Sequence, residues 1–568
     1  MANTIPINYK LKFEPLFDNF TFNGMEIITI NLPRATNSII LDAAELKIKK
    51  CHVEQGTKII TAKASLNKKN ERLTVKLTKK IKGKAKLCIK FTGVLNDRLL
   101  GFYKSQYKDN RGKTKYLATT QFEAADARRA FPCWDEPAVK ATFDVSLLVD
   151  RHHDAISNMS VISKKNVGSK ILYKFGRTPI MSTYLLYLGV GEFEYLHGKL
   201  RNIKIRIVST KGTKFNAKNH GKLSLDLTKK FLGEYEKYFG IKYPLPKLDM
   251  IAIPDFAAGA MENWGAITFR EAILLYDPKT SSTRTKQYIA EVISHELAHQ
   301  WFGNLVTMKW WNDLWLNESF ATFMATKIVD KFYPEWDFWD QFLGDAMLQA
   351  MGLDSLRNSH PIDVDVKHPA QIREIFDVIS YDKGGNVLRM LENYVGLENF
   401  RKGLKHYLTS HKFSNAEGQD LWNSIGKISN KPVSSMMKTW IDQVGYPVVD
   451  VKRENSKISL TQRRFLSDGS KLSRGKWAIP ITIEEGNHQR SILLKSRSST
   501  LSLKNTDSNF LINSGRHGFY RVQYDDNTLA NLSLLIDEKI LNHVDRWSLQ
   551  NDLDRKSTRL NSSHVLIS

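Results

Sequence analysis

Cysteine is scarce: Cys51, Cys88 and Cys133 are the only three in 568 residues. So odd and sparse a set does not build a disulfide scaffold. It fits a reducing compartment, and a cytoplasmic location is expected. Long apolar runs are missing too. Nothing approaches the roughly 18 residues of a membrane helix, and the richest stretch, 184–190, has the length of a strand. The opening residues lack the basic-then-apolar pattern of a secretory leader. With 32 Gly and 16 Pro, the chain is too poor in both for a fibrous or low-complexity protein. An apolar fraction of 42% and a charged fraction of 25% belong to a folded chain and exclude wholesale disorder. No internal repeat is visible. At roughly 150 residues per domain, three or four domains are expected.

Negative charge is the other shortage. Lys and Arg number 84 against 59 Asp and Glu, a net charge of +25. Much of the excess is local, because residues 47–90 hold fifteen Lys and Arg and two Glu. Such a segment could contact nucleic acid. Its lysines, however, alternate with apolar residues, as in Lys84, Ala85, Lys86, Leu87. Period-two alternation describes a strand with one wet face. No aromatic-rich RNA-binding signature or zinc-finger spacing accompanies it. A solvated sheet face is therefore expected, with no nucleic-acid or membrane partner.

The periodicity changes along the chain. Up to about residue 195, short alternating runs such as Leu73, Thr74, Val75, Lys76, Leu77 are separated by turn residues such as Asn23-Gly24 and Asn96-Asp97. From about 220, Leu223, Leu227, Phe231 and Tyr235 recur every four residues, and helical patterns continue to Ile441. Residues 445–526 return to alternation and predict a small antiparallel sandwich. After Asn527 a helical pattern begins with Leu529, Leu532, Leu535 and Ile536. From Asp554 to His564 neither periodicity nor capping is evident, and the run resembles translated sequencing adapter. The native reading is expected to end near Leu553, with residues 554–568 not native.

The strongest chemical signal is His295-Glu296-Leu297-Ala298-His299. Ile289, Val292, Ile293 and Leu297 form an apolar stripe, so the segment is predicted to be helical. Residues four apart then lie on one face, and His295 and His299 can offer two nitrogens to one ion. Zinc suits a mixed nitrogen and oxygen set and keeps one position for water in a catalytic site. Glu296, next to the first ligand, can lie beside that water. Eighteen residues after His299 comes Glu318, in the context Asn317-Glu318-Ser319. A loop and the start of a second helix fit that interval, which makes Glu318 the expected third ligand of one Zn2+ per chain.

This pattern is similar to that of the gluzincin metallopeptidases. A second motif, Gly259-Ala260-Met261-Glu262-Asn263, resembles the M1 family of zinc aminopeptidases. Residues 121–137, with Gln121 and Glu123, and residues 380–385, with Tyr381, agree in order along residues 1 to 553. The puromycin-sensitive and tricorn-interacting branch is the nearest in pattern. The resemblance implies a multidomain α+β fold. An N-terminal antiparallel β domain would span 1–197 and a thermolysin-like α/β catalytic domain 198–443. A small β-sandwich would span 444–526, and 527–553 would be the truncated start of a helical domain. It also implies roles. Glu262 and Glu123 would hold the substrate's α-ammonium, as carboxylates hold cations best. Gly259 and Ala260 would run beside the peptide as an edge strand. Met261 and Gln121 would line the first pocket, and Asn263 would complete the substrate motif. Glu296 would act as general base and Tyr381 would donate to the oxyanion. Trp301, Trp310, Trp311 and Trp315 would pack around the metal helices.

The expected function is removal of the N-terminal residue from peptides with a free amino end, including products of an upstream endoprotease or proteasome. Ser319 departs from the family pattern, which usually has Gly there. Family members normally continue into a long helical domain, so an open cleft, weak solubility and low activity on long peptides are expected. One rival is an epoxide hydrolase of the leukotriene A4 hydrolase type, which lacks a sandwich such as that predicted over 445–526. The other, a non-catalytic basic binding protein, is at odds with an intact ligand set.

Overall fold

The computed structural model describes residues 4–367, 369–470, 475–504 and 509–557. The adapter-like tail beyond 557 lies outside them. The chain forms two compact units, Met1–Trp311 with Leu408–Ala416, and Asn312–Tyr407 with Glu417–Ser568.

The first unit opens with an eight-stranded sheet. Its strands run in the order Val161–Val167, Lys170–Phe175, Thr142–Asp150, Ile5–Leu16, Thr21–Asp42, Arg72–Val94, Lys47–Gln55 and Lys58–Asn67. Alternation sets its faces. Leu73, Val75, Leu77, Leu87, Ile89 and Phe91 are buried, and Lys76, Lys84, Lys86 and Lys90 are exposed. The basic excess is thus a solvated sheet face. The sheet is antiparallel except between Ile5–Leu16 and Thr142–Asp150, which pair in parallel.

Asn23-Gly24 corrects the turn expectation, since both residues lie inside Thr21–Asp42. The turn falls at 17–20, where Phe20 has φ 51°. Gly24 is there for packing: it faces Phe91 across the ladder, and a Cβ would sit 2.1 Å from that ring. Two residues on, Gly93 receives Phe22 in the same way. Each aromatic ring lies over the glycine of the opposite strand, a cross-strand device that pins register.

Two further sheets complete this unit. A four-stranded sheet contains Thr114–Gln121, and a five-stranded one has the order Phe193–Leu200, Ile203–Thr210, Lys247–Ile253, Ala266–Arg270 and Ala260–Met261. All seven residues of Lys247–Ile253 are buried, as in a strand flanked by parallel neighbours and covered on both faces. The helix Lys222–Phe239 buries Leu225, Leu227, Phe231, Tyr235 and Phe239 and stops at Gly240 in the left-handed region, φ 65°. Tyr235 donates to the Ser294 carbonyl at 2.9 Å, tying this helix to Thr283–Ala298.

The second unit starts with the helix Trp315–Phe332, buried along nearly its whole length. A π-helical turn, Ile379–Lys383, leads into the helix Gly384–Val395. A four-stranded and a three-stranded sheet follow within 447–524. Among the described residues their pairings are antiparallel with one exception: Pro447–Glu454 and Arg521–Tyr524 run parallel. Alternation tells a strand which face to bury and is blind to the direction of its neighbour. The helices Asp526–Asp537 and His543–Ser557 come last. The backbone therefore stays helical to Ser557, past the point where the sequence pattern fades. Asp552 accepts from the buried Arg516 at 2.7 and 3.0 Å, from Arg521 at 3.0 Å and from the Val522 amide at 2.9 Å, which fastens the last helix to the sheet.

The three cysteines are free thiols. Among the described residues no helix is long and apolar enough to cross a membrane.

Candidate functional site

In the first unit the site is built at the end of the helix Thr283–Ala298. Ser282 caps its start by accepting from the Thr285 amide at 3.1 Å. Ile289, Ile293 and Leu297 are buried and Val292 half-buried, so the apolar stripe fixes the helix's rotation. The opposite face carries His295 in the last turn, with His299 at the C-cap. Their Nε2 atoms stand 3.0 Å apart.

A backbone contact decides which His299 nitrogen presents its lone pair for ligation. His299 Nδ1 lies 3.0 Å from the Phe302 carbonyl, which can only accept. Nδ1 therefore carries the proton, and the Nε2 lone pair faces His295. Two nitrogens each about 2.05 Å from one tetrahedral zinc stand about 3.3 Å apart. The observed spacing fits that donor geometry with a small opening. Glu296 is buried, 5% exposed, between the two imidazoles in sequence.

The segment 259–263 lies beside this helix. Ala260–Met261 is the edge strand of the five-stranded sheet, with Ala260 opposite Phe269 and Met261 opposite Thr268. The Gly259 carbonyl accepts from the Arg270 amide at 2.9 Å. Met261 is buried, and Gly259 and Ala260 are half-buried. Asn263 is fully buried; its amide donates to Thr268 Oγ1 at 3.2 Å and its carbonyl accepts from Ala266. Glu262 Oε1 is 3.9 Å from His299 Nδ1.

Gln121 ends Thr114–Gln121 opposite Gly101, and Glu123 follows two residues later. The carboxylates of Glu123 and Glu262 offer oxygens within 4.8 Å of each other. Two residues 139 positions apart in sequence thus form one acidic pair within the first unit. Two like charges at this spacing repel unless a cation lies near.

Sequence reasoning missed the residues that hold this arrangement. Gln300 and Asn304 are both fully buried, and their side-chain amides donate to the Glu262 carbonyl at 3.4 and 2.8 Å. Gln300 also donates to the Glu296 carbonyl at 3.1 Å. The signal that could have found them is two amides within an otherwise apolar run after the second histidine. Trp301 and Trp311 are core residues, Trp301 packing against Phe239 and Trp311 against Tyr184.

In the second unit Glu318 sits in the first turn of Trp315–Phe332, 3% exposed. A carboxylate there is favoured by the helix dipole. Ser319 Oγ donates to the Ser380 carbonyl at 2.6 Å, which joins the Glu318 helix to the turn that carries Tyr381. Asp377 opens that turn: its Oδ1 accepts from the Ile379 and Ser380 amides at 3.0 and 3.2 Å, and its carbonyl accepts from the Tyr381 amide. His360 bonds Asp377 Oδ2 at 2.7 Å and the Pro361 carbonyl at 2.7 Å. At the turn's far end Lys383 is fully buried against Asp354 at 2.9 Å. Tyr381 itself is half-buried. Trp315 stacks on Trp422 at 5.4 Å and Trp310 is half-buried.

The Peptidase family M1 domain model matches residues 223–440, and the Peptidase M1 N-terminal domain model matches residues 5–185. Aminopeptidase M1 of Arabidopsis thaliana is 43% identical over 96% of this chain and 64% of its own length. The puromycin-sensitive aminopeptidase of Caenorhabditis elegans is 42% identical over 99% of this chain and 60% of its own. The tricorn protease-interacting factor F2 of Thermoplasma acidophilum is 42% identical over 96% of this chain and 66% of its own. The chain therefore spans a little under two thirds of the length of these relatives. Both matched models describe one family, and the relatives align with nearly all of this sequence: the chain belongs to peptidase family M1.

Proposed function

We propose that this protein is a zinc-dependent aminopeptidase that removes the N-terminal residue from peptides. The observation that carries the reading is the pairing of two features in one unit. His295 and His299 present facing nitrogens 3.0 Å apart, and Glu123 and Glu262 hold two carboxylates together. A metal hydrolase needs the first, and recognition of a free ammonium needs the second. The relatives are named aminopeptidases, which favours peptide hydrolysis over epoxide opening. An intact donor set speaks against a non-catalytic binding protein.

In this reading His295, His299 and Glu318 would hold the zinc. The donor chemistry fits, with two imidazoles and one carboxylate leaving a position for substrate or water. When bound, the ion supplies a Lewis acid for the scissile carbonyl and acidifies water. The remaining work falls to the chain's own side chains. Glu262 and Glu123 grip the α-ammonium through charge-assisted hydrogen bonds and reject internal peptide nitrogens, which cannot offset their desolvation. Gly259 and Ala260 pair with the substrate backbone at the sheet edge. Met261 and Gln121 shape the pocket for the first side chain, and Asn263 secures the motif. Glu296 takes a proton from the attacking water and delivers it to the leaving amine. The Tyr381 hydroxyl donates to the developing oxyanion.

Four finer expectations belong to the same reading. The domain division is 1–197, 198–443, 444–526 and 527–553. One catalytic Zn2+ is bound per chain at the His295, His299 and Glu318 set, the location is cytoplasmic, and substrates include peptides left by an endoprotease or proteasome.

A panel of aminoacyl-coumarin substrates, with and without chelator, tests the activity. Glu296→Ala is expected to abolish release while leaving the metal content by mass spectrometry unchanged. Turnover that survives this substitution rejects the mechanism.

A further inference from the structure

The wet face of the eight-stranded sheet is a lysine row with one interruption. Along Arg72–Val94 the residues turned to this side include Lys84, Lys86, Cys88 and Lys90. The three lysines are exposed, whereas Cys88 is 8% exposed. Ladder register explains the difference. Cys88 lies opposite His52 on one neighbouring strand and Ile27 on the other, and both shelter it. Glu54 follows His52 by two residues and so shares its face.

Three donor types therefore meet on a rigid two-stranded support. One ligand atom from each of His52, Glu54 and Cys88 lies within 4.8 Å of the other two. His52 Nε2 is 3.4 Å from Glu54 Oε1. His52 Nδ1 is buried and has no hydrogen-bond partner among the described residues. The ring's contact is with Glu54, itself a member of the set, and Nδ1 has no competing bond among the described residues. Directly opposed residues have Cβ atoms about 4.5–5.5 Å apart, so side-chain rotation closes the set without backbone movement.

We propose that His52, Glu54 and Cys88 form a second metal site, for a thiophilic divalent ion such as zinc or cobalt, separate from the His295–His299 site. A sulfur, nitrogen and oxygen set matches the borderline-soft preference of these ions. Loading releases the Cys88 thiol proton to solvent, and the resulting thiolate and the Glu54 carboxylate together neutralise a divalent ion held by a neutral imidazole, so the loaded site is itself uncharged. The exposed ammonium groups of Lys50, Lys84, Lys86 and Lys90 are screened over about 8–10 Å at physiological salt. His52 and Glu54 keep 25% and 39% of their side-chain surface. The fourth position therefore opens to solvent and can take water or an external ligand.

Cobalt(II) titration of the chelator-treated full chain tests this directly. Thiolate ligation gives a sulfur-to-cobalt charge-transfer band in the near ultraviolet. The His295 site has no sulfur donor and cannot produce it, so the result does not depend on aminopeptidase activity. The expected outcome is this band, two ions per chain by mass spectrometry after gel filtration, and loss of the band and of one ion in Cys88→Ser. His52→Gln, which keeps a polar side chain of similar size, is expected to weaken cobalt binding here by more than the roughly 10–100-fold typical of an outer-shell loss. Glu296→Ala is expected to leave the band intact. No charge-transfer band overturns the proposal. So does a band that survives Cys88→Ser, which would belong to Cys51 or Cys133.

Discussion

Gly384→Ala tests how the Glu318 helix is held against the turn that carries Tyr381. A Cβ built on Gly384 would lie 1.8 Å from Ser319 Oγ and 2.7 Å from Ser319 Cβ, with Ser319 Cα next at 3.8 Å. The hydroxyl could rotate away, but the Cβ cannot, so the helices Trp315–Phe332 and Gly384–Val395 would have to separate. Overpacking of this kind costs about 1–3 kcal/mol. Gly384 has φ −59° and ψ −45°, ordinary helical values, so backbone strain adds nothing.

The informative variant is the pair. Ser319→Gly loses the hydrogen bond to Ser380, about 1 kcal/mol, and replaces serine by a helical glycine at about 0.5 kcal/mol. It also removes both atoms that block Gly384. In that background the nearest atom to a new Cβ is the 319 Cα at 3.8 Å, an ordinary contact. Gly384→Ala should then stabilise by up to about 1 kcal/mol through helix propensity. The propensity gain is common to both backgrounds and cancels, so the coupling is the overpacking cost itself, about 1–3 kcal/mol, above the roughly 0.5 kcal/mol scatter of independent sites. Hydrogen exchange of peptides covering 315–332 and 379–395 measures it in place. Additive effects of the two substitutions would refute the packing argument.

Three further perturbations bear on the same elements. Tyr381→Phe is expected to lower kcat about 10²–10³-fold with KM little changed; a change confined to KM would give Tyr381 a binding role instead. His360 faces acceptors at both ring nitrogens, and its hydrogen bond to Asp377 raises its pKa above the ordinary value. Lys383 is the nearby cation that opposes this rise. A raised folded-state pKa gives stability that is complete below the unfolded value of about 6.5 and is lost as pH rises through the folded one. Urea midpoints should therefore fall above pH 6.5, and His360→Gln should flatten that part of the curve; parallel curves would contradict it. Asp552→Ala strips the partner from Arg516 and Arg521, 1% and 3% exposed. Breaking a buried pair in this way costs about 3–5 kcal/mol. A change in unfolding midpoint equivalent to less than about 1 kcal/mol would show that the last helix is held by something else.

What was legible in the sequence is what local geometry encodes. His295 and His299 are one turn apart, so a helical period sufficed to bring their nitrogens together. Alternation likewise gave the lysine face of the first sheet, because a period of two needs no knowledge of the partner strand. The unread parts all involve a partner chosen by tertiary packing. Asn23-Gly24 has the composition of a turn, yet Gly24 is where Phe91 crosses the ladder, a fact held 67 residues downstream. The parallel pair Ile5–Leu16 and Thr142–Asp150 leaves no mark on either strand's pattern. Gln300 and Asn304 bond a backbone carbonyl, and a carbonyl is present at every residue, so no side-chain pattern at Glu262 could point to them. His360 and Asp377 are 17 residues apart with no shared period. The donors and acids of the candidate site therefore stand out as motifs, while the residues that fix their angles do not. Substitutions at Gln300, Asn304 and Asp377 should accordingly perturb the candidate site through orientation, without removing any donor.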